Sequence, residues 1–212
     1  KFDLERVLTK GKEGSGLGYT VISKKRLDNI EYCVDEILSN NIEGDFIETG
    51  VWRGGSCIFM RELLKINDIK DRIVFVADSF EGMPKPKNEF DGSDLSMFES
   101  AKVSEEQVKS NFDKFGLNDN QVVFIKGWFN ESLPKAKIKK LALLRLDGDL
   151  YESTMDALIP LYDKVVKGGF IIVDDYHSCP PCKKAITDFM AQNNIQIPLI
   201  TVDGHAVYWR KN

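Results

Sequence analysis

Four aspartates stand directly behind two apolar runs. Asp147 and Asp149 flank Gly148 after Leu143-Leu144-Arg145-Leu146, and Asp174-Asp175 follow Phe170-Ile171-Ile172-Val173. Each run reads as a buried strand, so each acidic group marks a strand's carboxyl end. Like charges held close raise one another's pKa unless something positive sits among them. A divalent cation meets that need, and an oxygen-only ligand set favours a hard one, Mg²⁺ above Ca²⁺ or Mn²⁺. Zinc is disfavoured, because His177 and His205 are the only histidines. Singly, Asp149 reads equally well as a helix cap and Asp175 as a solvent-facing acid; the four together argue for a site. His177, two residues past Asp175, reads as a second base, a substrate contact or a surface histidine. Cys179-Pro180-Pro181-Cys182 has thioredoxin-like spacing at a helix start, where a thiolate would be stabilised. It comes too late in the chain for a thioredoxin fold, so it reads as a helix entry with incidental cysteines.

A second constellation lies earlier. Glu48-Thr49-Gly50-Val51-Trp52-Arg53-Gly54-Gly55-Ser56 forms a strand-to-helix turn where glycines admit a ligand and a helix N-terminus favours negative charge. The G-x-G-x-x-G dinucleotide fingerprint is absent. Glu48 would repel a pyrophosphate and attract an ammonium, which points to an amino-acid-bearing nucleoside such as S-adenosylmethionine. A glycine turn serving helix packing alone is the plainer alternative. Asp78, with Ser79 beside it, ends the next strand, where α/β nucleoside sites place an acid for ribose hydroxyls. Gly127-Trp128-Phe129 ends the third strand, where an aromatic ring would frame an adenine or plug the core.

The elements that must position these residues follow from periodicity. Ser23 to Ser39 is an amphipathic helix with Leu27, Ile30, Val34, Ile37 and Leu38 on one face. Strand, turn and helix then alternate: strands at Phe46–Gly50, Ile73–Asp78, Val122–Ile125, the Asp147 run and the Asp174 run, and helices at Cys57–Lys65, Ser104–Phe115, Ser153–Val166 and from Pro180 or Pro181 to Gln192. Gly168-Gly169 is expected to end the helix that starts at Ser153. Ser79 to Ser100 is a long loop, a length usually reserved for lids or disordered segments. Asp203-Gly204 signals a hairpin between Ile197–Val202 and Ala206–Trp209. Alternating strands and helices imply a doubly wound, mostly parallel α/β sheet, with one antiparallel strand from the closing hairpin. The expected organisation is a single domain over residues 1–212, with 1–42 as an N-terminal helical or lid segment and 43–212 as a Rossmann-like core. Lys1 to Tyr19 reads as a short helix and then a glycine-rich loop.

With 212 residues and a formal net charge of -4, the chain makes no dominant electrostatic claim on nucleic acid. No apolar run reaches the roughly 20 residues that cross a bilayer, so no membrane partner is expected. Cys33 and Cys57 fall on apolar helix positions, which suits a reduced, cytoplasmic protein. A homo-oligomer is compatible with the sequence.

With these residues assembled, the chain resembles the macrocin O-methyltransferase family of sugar methyltransferases. The matching segments are Arg26-Leu27-Asp28-Asn29, Glu48 through Gly55, Ala77-Asp78-Ser79-Phe80-Glu81-Gly82-Met83-Pro84, Leu146 through Thr154 and Asp174-Asp175-Tyr176. The resemblance implies a class I S-adenosylmethionine-dependent fold and Mg²⁺-assisted methyl transfer to a sugar hydroxyl. It implies that Asp147, Asp174 and Asp175 bind metal and that Asp149 is the base. The family often has Gly after the Asp-Asp-Tyr triplet; His177 stands there in this chain, so the acceptor does not carry over. The cofactor is expected on Glu48, Thr49, Gly50, Trp52, Arg53, Asp78, Ser79, Gly127, Trp128, Phe129 and Asp147. Asp149 and His177 are the catalytic candidates, and the partner is a small molecule with a sugar-like hydroxyl. Two rivals stand beside this reading. One is a haloacid-dehalogenase-type phosphohydrolase built on the D-x-D strand, and the other a cofactor-fold binding module without catalysis.

Overall fold

The computed structural model describes residues 18–212, and the expected short helix and most of the glycine-rich loop near the N-terminus lie outside them. Helix α1 spans Lys24–Ser39, and its N-cap Ser23 accepts from the Arg26 amide. Strand β1 (Asp45–Thr49), helix α2 (Gly55–Ile66) and strand β2 (Val74–Asp78) follow. Helix α3 is Glu105–Lys114, capped by Ser104 as its sequence predicts, and leads into β3 (Val122–Lys126). A four-residue helix α4 (Phe129–Ser132) precedes β4 (Leu141–Leu146), α5 (Tyr151–Leu161) and β5 (Val165–Val173). Helix α6 (Pro180–Gln192) and the short strands β6 (Ile200–Thr201) and β7 (Val207–Arg210) complete the chain.

The strands form one seven-stranded sheet in the order β3-β2-β1-β4-β5-β7-β6. The first five run parallel, and β7 pairs antiparallel with β5 and β6. The order reverses between β1 and β4, the point at which doubly wound sheets open a crevice at their carboxyl ends. Both faces are covered, which is why the strands read as continuous apolar runs. Phe46, Val74, Val76, Leu143, Phe170 and Ile172 pack on one face with α1, α2 and α3. Ile47, Phe75, Ala77, Leu144, Ile171 and Val173 pack on the other with α5 and α6.

The chain departs from its periodicity in three places. The helix expected to reach Val166 stops at Leu161, with Pro160 in its last turn, and the chain enters β5 at Val165 after a 3₁₀ turn. Gly168-Gly169 therefore lies inside β5, where Gly168 takes φ +85° and the pairing with β4 shifts register. The glycines make a bulge instead of a helix end. The first strand of the closing hairpin is only two residues long. Among the described residues no helix is long and apolar enough to cross a membrane.

Candidate active site

The two acidic strand ends meet because β4 and β5 are neighbours, with Leu146 opposite Val173. The backbone hydrogen-bonding ladder continues past both strands. The amide of Asp147 donates to the Thr49 carbonyl at 2.9 Å, and that of Asp174 to the Leu146 carbonyl at 2.9 Å. The glycine turn after β1 touches the same point. At Gly50, φ is +86°, and a Cβ placed there would fall 1.9 Å from the Asp147 carbonyl oxygen. Only glycine lets these two strand ends close on each other.

A positive charge does sit among the acids, and it belongs to the protein. Arg145, in the middle of β4, has no exposed surface, and it ion-pairs with Glu48, Asp147 and Asp174. Its Nη1 lies 2.7 Å from Asp147 Oδ2. Burial alone would lower the guanidinium pKa, but the three carboxylates outweigh it and hold the charge on. Asp174 receives a second arginine: Arg26 of α1 donates to Asp174 Oδ2 while Arg145 donates to Oδ1. Arg26 Nε also lies 3.3 Å from Asp203 Oδ2, and the Ser23 hydroxyl donates to that same oxygen at 2.8 Å. The first helix and the closing hairpin are thus tied to the acidic centre. The sequence argument met the need for positive charge with a divalent cation; in the fold Arg26 and Arg145 already share that task.

The balance is incomplete. Asp175 is buried, and its Oδ2 has no hydrogen-bond partner. Burial, then the charges of Asp147, Asp149 and Asp174, push its pKa well above the usual carboxylate range. Asp147, Asp174 and Asp175 each offer an oxygen within 4.8 Å of the others. An orphaned carboxylate oxygen in an all-oxygen cluster fits a hard divalent cation. Asp149, at φ +57°, lies next to Asp175 and accepts a hydrogen bond from Cys179 Sγ at 3.3 Å. Burial raises the pKa of Asp149 also, and the Cys179 bond opposes the rise. The Cys179 thiol is itself pushed up to about 12 by burial and by Asp149 and Asp175. No thiolate is stabilised at this helix start, and all four cysteines are free.

Beside the acids lies a cleft partly open to solvent. Gly50, Asp78, Ser79, Trp128, Phe129 and Asp147 line it together, although they come from four strand ends. Asp78 accepts from the amides of Val51 (2.8 Å) and Phe80 (2.7 Å), which fix its carboxylate at the turn. Its pKa is raised by burial, and the amides counter that rise. Gly127, at φ +130°, donates its amide to the Asp78 carbonyl at 2.9 Å and turns the chain so that Trp128 enters the cleft.

Other candidates are placed elsewhere. Glu48 is fully buried; it accepts from Ser56 Oγ at 2.5 Å and pairs with Arg145. Thr49 is buried, with its hydroxyl 3.5 Å from the Arg145 carbonyl. Trp52 Nε1 donates to the Ser100 carbonyl at 2.8 Å, and the Arg53 guanidinium lies over the Trp52 ring at 4.7 Å. Trp52 thereby joins the glycine turn to the end of the long loop, and Arg53 Nη1 donates to the Gly18 carbonyl at 3.4 Å. His177 is exposed, its amide bonded to the His205 carbonyl and its ring Nε2 3.5 Å from Thr201 Oγ1, on the hairpin side of the acids.

Some cleft residues carry no sequence signal of their own. The long loop is pinned by Asp91, 2% exposed, whose Oδ1 accepts from the Glu152 amide at 2.9 Å in the first turn of α5. That bond caps a helix whose own N-cap, Leu150, has no polar side chain. Met83, Lys85 and Lys87 of the loop line the cleft as a result. Arg145 did have a signal: a charged residue inside an otherwise apolar strand must be paired.

Comparison with known proteins adds an independent line. A family model described as macrocin-O-methyltransferase matches residues 2–211. A demethyldecarbamoylnovobiocin O-methyltransferase of Streptomyces niveus is 48% identical over 98% of this chain and 81% of its own. The 8-demethyl-8-(2,3-dimethoxy-alpha-L-rhamnosyl)-tetracenomycin-C 4'-O-methyltransferase of Streptomyces olivaceus is 44% identical over 94% of this chain and 78% of its own. The solved structure of the O-methyltransferase NovP superimposes with a TM-score of 0.91 at 48% identity, covering 98% of this chain and 88% of that one.

Proposed function

The chain belongs to the macrocin O-methyltransferase family and is an O-methyltransferase, and from that premise we propose that it methylates a sugar hydroxyl of a glycosylated natural product, using S-adenosylmethionine and Mg²⁺. Family membership removes the phosphohydrolase and the non-catalytic module. The S. olivaceus relative's name specifies a rhamnosyl acceptor, which supports a sugar hydroxyl here. The observation that carries the reading is the meeting, at Asp147, of the acidic centre and a cleft lined by Asp78, Trp128 and Phe129.

Asp78 would receive the ribose hydroxyls, and Trp128 and Phe129 would flank the adenine. Gly50 leaves the backbone open beneath the cofactor. Glu48, buried against Arg145, would act on the cofactor through the turn it anchors. Asp147, Asp174 and Asp175 would hold the metal, with Arg26 and Arg145 fixing the orientation of Asp174. When bound, S-adenosylmethionine supplies the methyl group and Mg²⁺ lowers the pKa of the acceptor hydroxyl. Asp149 would accept the hydroxyl proton, because it is partly exposed, lies beside the metal set and is oriented by Cys179. The docked loop over residues 79–100 would keep water from the reacting atoms. Calorimetry with S-adenosylhomocysteine, with and without Mg²⁺, tests the reading, followed by a mass-spectrometric screen of sugar-bearing acceptors. Binding followed by a mass gain of one methyl on a sugar is expected. Failure to bind S-adenosylhomocysteine would overturn it.

A further inference from the structure

Asp175 belongs to two ligand sets. Besides Asp147 and Asp174, it lies with Asp149 and Cys179 in a group whose ligand atoms are all within 4.8 Å of one another. The second set differs in chemistry: it combines two carboxylates with a sulfur. Thiolate ligands select zinc and other soft cations over Mg²⁺. Three protein ligands and one water make a four-coordinate zinc site.

The local structure holds these three groups in place. The Cys179 amide donates to the Asp175 carbonyl at 2.9 Å, closing the turn that ends β5. Pro180 and Pro181 begin α6 immediately afterwards, so the thiol is presented from a stiff helix start. Asp149 is already within hydrogen-bonding distance of the sulfur, at 3.3 Å. Asp175 is 8% exposed, and its Oδ2 is buried without a partner. Asp149 and Cys179 are both partly exposed, so an ion has a way in. Cys33, Cys57 and Cys182 are buried at 0%, 0% and 1% exposure and have no such access.

We propose that Asp149, Asp175 and Cys179 form a second metal site, selective for zinc-like cations, that shares Asp175 with the all-oxygen set. On binding, Cys179 loses its thiol proton to solvent and a sulfur–metal bond forms; no oxidation occurs. The consequence for catalysis rests on the function proposed above. A zinc ion there occupies Asp149 and blocks the proposed base, so zinc inhibits while Mg²⁺ does not.

The test reads binding without turnover, so it succeeds or fails independently of the methyl-transfer reading. The whole protein is titrated with Co²⁺ alone, followed by thiolate-to-metal charge-transfer absorption, and Co²⁺ is then displaced with Zn²⁺. One charge-transfer site per chain is expected, bleached by Zn²⁺ and not by a large excess of Mg²⁺. Cys179→Ser should remove the absorption and weaken zinc binding at least tenfold. Asp149→Asn should weaken binding while keeping the absorption at saturation, and Cys182→Ser should change neither. Should Cys179→Ser fail to fold, the other two variants decide the matter. Absence of the absorption in the wild type overturns the proposal. So does its persistence in Cys179→Ser, its loss in Cys182→Ser, or wild-type affinity in Asp149→Asn.

Discussion

Arg145 and Asp174 form an enclosed ion pair, with side-chain exposures of 0% and 4%. The pair joins adjacent strands at the point where the proposed metal set begins. It makes the acidic centre part of the fold's own electrostatic balance.

That balance makes Arg145 a stability residue. Arg145→Met removes the cation and leaves Glu48 and Asp174 buried without their main partner. Breaking a buried pair from one side typically costs about 3–5 kcal/mol. Urea unfolding should show a loss of that size, with little recovery in Arg145→Lys, because an ammonium does not reproduce the two-pronged contact. A loss below about 1 kcal/mol would contradict the role given to this residue.

Asp78 is expected to act in binding. Asp78→Ala should weaken S-adenosylhomocysteine by about 1.5–3 kcal/mol, the usual worth of a hydrogen bond to a charged group. Part of that loss reflects the amides of Val51 and Phe80, which the carboxylate holds in place. Calorimetric affinity equal to that of the wild type would remove Asp78 from the cofactor site.

Asp175 gives a pH dependence with a definite sign. Its folded pKa is raised by burial and then by neighbouring carboxylates, whereas an unfolded carboxyl titrates near ~3.9. The folded state therefore holds the proton more tightly. The stability this group contributes is full below that pH and is lost as pH climbs through the folded value. In EDTA, Asp175→Asn should become more stable relative to wild type as pH rises, read as the difference in melting temperature. With Mg²⁺ the order should reverse, because the variant lacks a ligand. A difference that does not change with pH in EDTA would refute the argument.

Much of this was legible in the sequence. The strand runs and the Ser104 cap follow from local chemistry, and Asp147, Asp174 and Asp175 cluster as their strand ends imply. Hidden features depend on long-range neighbours. Asp91 looks like any loop acid until the fold brings it to the α5 N-terminus, 61 residues away. Arg26 has no visible partner until α1 packs across Asp174, 148 residues on. Gly168 reads as a helix stop because its glycine character permits both that role and the bulge it makes. Trp52 and Arg53 belong to the glycine-turn motif, yet Trp52 reaches the long loop at Ser100 and Arg53 lies over the Trp52 ring and reaches Gly18.

Asp149 and His177 separate by kinetics. Asp149→Asn should lower kcat by about two to four powers of ten while leaving cofactor affinity nearly unchanged. His177, exposed beside Thr201, should lose little kcat on replacement by Asn. A dead His177→Asn with an active Asp149→Asn would exchange the two roles.

The central claim is that the Asp147, Asp174 and Asp175 set works with a divalent cation in methyl transfer. The most direct measurement is the rate of transfer from S-adenosylmethionine to a sugar acceptor in excess EDTA, and again after Mg²⁺ is restored. The account predicts that EDTA stops turnover, that Mg²⁺ returns it in the wild type, and that Asp175→Asn stays inactive in both conditions while still binding S-adenosylhomocysteine. A full rate in EDTA, or an active Asp175→Asn, would contradict it.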